Sequence, residues 1–103
     1  METKTKAQTF IGFAMRMGKY KIGLNAVQTL KKAYLMIVCS SSSENTKAQA
    51  KKIAKALNCP LLVSKLALEE ITHKENAKVM AIADKNLAEA IIKNSNDEFV
   101  SVD

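Results

Sequence analysis

Tyr34-Leu35-Met36-Ile37-Val38-Cys39, followed at once by Ser40-Ser41-Ser42-Ser43, is the stretch on which the fold turns. A short, unbroken apolar run closed by four hydroxyl residues reads as a strand buried on both faces. The segments on either side should then be the helices that bury it. Downstream, Thr46 and Gln49 have the spacing of a capping box. The helix they open turns Ala50, Ile53, Ala54 and Leu57 inward and covers its outside with Lys47, Lys51, Lys52 and Lys55. Asn58 is placed to close it before Pro60, and Leu61 to Val63 make another short strand. A helical turn at Leu68 to Ile71 and a final strand within Ala77 to Ala83 follow. Asp84 then caps a last helix over Lys85 to Lys93, with Leu87, Ile91 and Ile92 packed.

Upstream, Phe10, Phe13, Ala14 and Met17 recur at helical spacing, and Gly18 is suited to end that helix. Tyr20 to Ile22 alternate as a brief strand, and Leu24 to Lys32 read as a second helix with Val27 and Leu30 inward. Strands alternating with helices give an α/β chain folded as a three-layer α/β/α sandwich, with strand order left open. The 103 residues suit one domain over 1–93, and residues 94–103 lose periodicity and are expected to fray. An apolar share of 48% with only 5% aromatic residues implies an aliphatic core.

The net charge of +6 arises entirely in residues 1–34, where Lys4, Lys6, Arg16, Lys19, Lys21, Lys31 and Lys32 face Glu2 alone. A basic end on a neutral body attracts phosphate or an anionic surface, although solvated surface lysine would read the same way. Cys39 and Cys59 form no Cys-x-x-Cys pair, and His73 is the one histidine, so two reduced, buried thiols are expected and no metal. No apolar run is long enough for a signal peptide or a membrane span, which points to a cytosolic protein.

Catalysis needs a nucleophile with a base, carboxylates paired in a cleft, or a metal set, and none is visible. His73 lies in the polar run Thr72-His73-Lys74-Glu75-Asn76 and reads as an exposed loop residue; Glu69 and Glu70 read as a solvated turn. No Gly-rich phosphate loop occurs. What remains is Gly23-Leu24-Asn25 at a helix start behind a lysine-rich segment. Free backbone N–H groups there attract phosphate, an Asn amide can both donate to and accept from base edges, and a glycine allows close approach, although an ordinary helix cap would look the same.

Gly12-Phe13-Ala14-Met15-Arg16-Met17-Gly18-Lys19, then Gly23-Leu24-Asn25-Ala26-Val27, then Ser42-Ser43-Glu44-Asn45-Thr46 occur in order. Over residues 10–93 the chain resembles the kink-turn-binding ribosomal protein superfamily, the L-seven-Ae and L-thirty-e group, and within it the small bacterial YlxQ-type branch. The resemblance implies a mixed four-stranded sheet and RNA recognition without catalysis or cofactor. It implies structured RNA, a kink-turn or ribosomal RNA, as partner, ribosomal proteins as neighbours, no membrane, and a monomer when free. It assigns base contact to Asn25, close approach to Gly23, phosphate contact to Lys19 and Lys21, and a weaker phosphate role to Lys31 and Lys32.

The chain departs from the family at two places. Ala26 and Thr29 stand where many RNA-binding members carry Glu or Gln, and Lys. The second RNA-facing loop, usually Leu-Gly-x-Ala-x-Gly-Lys, is here Leu68-Glu69-Glu70-Ile71-Thr72-His73-Lys74, which leaves Ile71 and Lys74 as its remnants and puts two carboxylates where RNA should approach. These changes motivate an alternative: a member of the same fold that has lost kink-turn binding and serves as a protein-interaction module.

Overall fold

The computed structural model describes residues 6–95 and 99–102. The elements run in the order α1 Lys6–Arg16, β1 Tyr20–Ile22, α2 Leu24–Gln28, β2 Leu35–Cys39, α3 Glu44–Leu57, β3 Leu61–Ser64, α4 Leu68–Thr72, β4 Val79–Ile82, α5 Lys85–Lys93 and β5 Phe99–Val102. The strands form one mixed, open sheet in the order β1-β4-β2-β3-β5. β2 and β3 are parallel, and the other neighbouring pairs are antiparallel.

β2 lies at the centre and all of its residues are buried, as a strand with helices on both faces requires. The period of two along each strand divides its side chains between two cores. Leu35, Ile37, Leu62, Met80, Ile82 and Phe99 pack under α1, α4 and α5. Met36, Val38, Leu61, Val79 and Ala81 pack under α2 and α3.

The helix ends explain themselves locally. After α1, Gly18 turns left-handed at φ +69, so that Gly18 N–H reaches Met15 O at 3.1 Å and Lys19 N–H reaches Ala14 O at 2.9 Å. Asn58 closes α3 in the same way, at φ 56. Asp84 caps α5 by accepting Leu87 N–H at 2.9 Å.

Ile92, read as packed, is 37% exposed, and three expectations about the elements need correction. The sheet has five strands rather than four, because the tail expected to fray supplies β5: Phe99, 2% exposed, fills the core on the α1 side, and β5 pairs with β3 from Phe99 opposite Ser64 to Val102 opposite Leu61. Residues 96–98 and 103, also within that tail, lie outside the described residues. Next, α2 ends at Gln28, short of Lys32. Thr29 Oγ1 donates to Ala26 O at 2.6 Å, and Thr29 N–H and Leu30 N–H both bond three residues back, a tight final turn in which the helix stops. Finally, α3 starts before Thr46, because Ser43 is its cap: Ser43 Oγ accepts Thr46 N–H at 3.1 Å and donates to Thr46 Oγ1 at 3.0 Å.

Candidate nucleic-acid interface

Strand directions sort the loops into two ends. Val38 opposes Val79, Val63 lies beside Val38, and Ile22 opposes Met80. The C-terminal ends of β1, β2 and β3 therefore share one end with the start of β4. At this end stand the α2 start, the serine loop 40–43, the segment 65–67, and the connection from α4 to β4. The opposite end carries Lys19, the 29–34 connection and the α5 start.

Of the expected RNA contacts, Gly23, Asn25, Ile71 and Lys74 all fall at the first end. Gly23 N–H donates to Val79 O at 2.9 Å, so the α2 start abuts the point where the α4–β4 connection enters the sheet, whereas Ile71 packs among the side chains under α1, on the face opposite α2. Gly23 itself sits at φ 94 and ψ 147, a conformation that is essentially glycine's own. No side chain caps α2. Asn25 is exposed, and its amide has no hydrogen-bond partner among the described residues. Lys21 is exposed at the centre of edge strand β1, opposite Ala81, and therefore on the α2 face of the sheet; Tyr20 and Ile22 pack on the α1 face.

Lys19, Lys31 and Lys32 are not gathered with them. Lys19 precedes β1 and lies about 13 Å of extended chain from Gly23. With α2 ending early, Lys31 and Lys32 fall in the connection to β2 rather than on the helix, and Lys32 Nζ rests 5.2 Å from the Tyr34 ring centroid.

The α4–β4 connection is ordered by contacts that sequence spacing did not reveal. Glu69 Oε2 accepts Asn76 N–H at 2.9 Å, and Oε1 meets Lys78 Nζ at 3.3 Å. The Asn76 N–H first, and the Lys78 ammonium with it, hold the Glu69 carboxyl below the ordinary glutamate range. His73 is exposed at φ 58 and terminates α4, its N–H bonding Glu69 O at 2.9 Å. It thus occupies a left-handed position, which a glycine would hold without strain. No spacing rule links residues 69, 76 and 78; the one legible signal is that His73 and Asn76 are residue types that tolerate positive φ.

Cys39 ends β2 beneath the serine loop, its Sγ 3.1 Å from Ser41 Oγ. Burial pushes this thiol up, but hydrogen bonds from Ser41 and from the Leu68 backbone, with Lys78 nearby, bring it net below its usual range. Cys59 lies at the other end of the sheet, where burial pushes its thiol up. Both cysteines are free, although Cys59 is only partly buried. Among the described residues no three of His, Cys, Asp and Glu are grouped to hold a metal ion, and no helix is long and apolar enough to cross a membrane.

No family model matches the chain, and no curated protein does. Solved structures do. One, described as a protein with unknown function from Bacillus halodurans C, superimposes with a TM-score of 0.77 at 18% identity, over 87% of this chain and 96% of that one. What is shared is the fold.

Proposed function

We propose that the chain is a non-catalytic, cytosolic RNA-binding protein of the kink-turn-binding ribosomal type, associated with ribosomal RNA or another kinked or bulged stem. The observation that carries the reading is the Gly23 N–H bond to Val79 O, which fixes the uncapped α2 start against the first residue of β4, at the end of the sheet that also carries the α4–β4 connection. Asn25 supplies a free amide for base edges, and Gly23 leaves the backbone open. Lys21 and Lys74 supply phosphate contacts. Lys19, Lys31 and Lys32 extend the positive surface toward the other end, where a long stem would lie.

The test is a titration of labelled kink-turn RNA at two salt concentrations, against a stem in which Watson–Crick pairs replace the sheared G·A pairs. The expected result is a preference for the kinked stem and an affinity that falls steeply with salt. Asn25→Ala should lose discrimination between the stems. Lys21→Ala should weaken binding to both and reduce the log–log salt slope by about 1. Equal binding to both stems, or a flat salt response, overturns the reading.

A second reading, a protein-interaction module, is favoured by two exposed apolar side chains at the C-terminal end of α1, Phe13 at 38% and, in the turn just beyond the helix, Met17 at 55%. Partners that stay bound after ribonuclease treatment would support it; partners that vanish would count against it.

A further inference from the structure

Glu69 and Glu70 stand in the stretch that the proposed reading turns toward RNA, and Coulomb repulsion alone counts both against binding. Their surroundings differ. Glu70 is exposed, with no side-chain hydrogen bond or ion pair among the described residues. Both Glu69 carboxylate oxygens are engaged, Oε2 by Asn76 N–H at 2.9 Å and Oε1 by Lys78 Nζ at 3.3 Å.

The contacts around that staple reach both ends of the connection. At its start, Thr72 Oγ1 donates to Leu68 O at 2.7 Å and accepts Lys74 N–H at 3.3 Å, while His73 and Asn76 hold left-handed backbone at φ 58 and φ 59. At its finish, Lys78 Nζ also reaches Ser41 Oγ at 3.4 Å, and Lys78 O accepts Cys39 N–H at 2.8 Å. Glu69 sits on α4 and grips the far side of the same connection. Without that grip, a segment with two non-glycine residues at positive φ would have to be ordered when RNA binds, at a cost in affinity.

We infer that Glu69 is a positioning residue for RNA: its carboxylate, occupied by Asn76 and Lys78, sets the backbone of the α4–β4 connection that presents Lys74. The inference rests on the RNA-binding reading and makes a prediction opposite in sign to the charge argument. On charge alone, removing Glu69 removes a repulsive group and frees Lys78 for phosphate, so affinity should rise. On positioning, it should fall.

The experiment titrates kink-turn RNA and the Watson–Crick control stem with the wild-type protein, Glu69→Ala, Glu69→Gln and Glu70→Gln at one salt concentration, and follows amide exchange in each free protein. Glu69→Ala should weaken kinked-stem binding about two- to tenfold, the penalty for ordering one or more side chains at the interface. The Asn76 amide should exchange faster, while β2 and β4 amides stay protected and show that the variant is folded. Glu69→Gln keeps an acceptor for Asn76 and loses the charge for Lys78, so it should fall between; it also carries the test should Glu69→Ala unfold. Glu70→Gln should bind as tightly as wild type or more tightly. If a folded Glu69 variant binds the kinked stem as well as wild type or better, the inference is overturned. A wild-type protein with no preference for the kinked stem overturns the RNA reading itself, and the inference with it, before any variant is compared.

Discussion

Gly23 enters α2 at φ 94 and ψ 147, and a Cβ built there meets nothing within 4 Å. Space therefore does not demand a glycine, but backbone conformation does. Gly23→Ala should cost about 1–3 kcal/mol through strain alone. Chemical denaturation would measure it, and a loss below about 0.5 kcal/mol would show that the α2 entry relaxes freely. A second residue-scale expectation concerns acid. Glu69 titrates below its ordinary range because its charged form accepts Asn76 N–H and then meets Lys78. A carboxyl whose folded value is depressed stabilises the fold above the unfolded value, and that contribution disappears as pH falls through the folded one. The Asn76 amide should lose exchange protection and shift in NMR spectra with a midpoint below the ordinary glutamate value, and Glu69→Gln should abolish that transition. Gly23 and Asn25 were legible because the helix-start motif is local. Glu69 was not, since its partners lie seven and nine residues away and are brought back only by the left-handed turns at His73 and Asn76.

At the scale of elements, periodicity located nearly every helix and strand, and the differences sit at ends where hydroxyl groups decide. Thr46 with Gln49 has the spacing of a capping box, but Ser43 stands three residues before Thr46 and its hydroxyl takes the cap. The four-serine run hid this, because any of its members could serve. Ser43→Ala should destabilise the protein by about 1 kcal/mol, with Ser40→Ala close to neutral, and thermal melts of the two variants would separate them. Equal effects would place the cap elsewhere. Thr29 is the converse: a residue that read as mid-helix turns its hydroxyl back on Ala26 O and ends α2. That ending moves Lys31 and Lys32 off the helix, so a role for them in RNA contact depends on the stem reaching the Lys19 end.

The whole molecule holds what periodicity could not show, the strand order and the fifth strand. Phe99-Val100-Ser101-Val102 is too short to announce itself, and its partner β3 lies more than thirty residues back, so its pairing follows from the sheet edge that β3 exposes and not from local pattern. Its two faces nevertheless separate clearly. Phe99 is 2% exposed among the side chains under α1, α4 and α5, whereas Val100, directed to the other face, is 44% exposed. Removing a buried Phe side chain costs about 3–5 kcal/mol, a large part of the roughly 5–15 kcal/mol that holds a domain folded. Phe99→Ala should therefore lower Tm by more than about 10 °C, while Val100→Ala should stay within about 0.5 kcal/mol of wild type. If β5 contributed nothing to stability, both variants would melt with the wild type. The α2 start is anchored on β1 and β4, away from β5, whereas Phe99 shares its core with Leu68 and Ile71 of α4. At temperatures where it remains folded, Phe99→Ala should thus keep any discrimination made through Asn25 and weaken any contact made through Lys74, which separates the two segments proposed to bind.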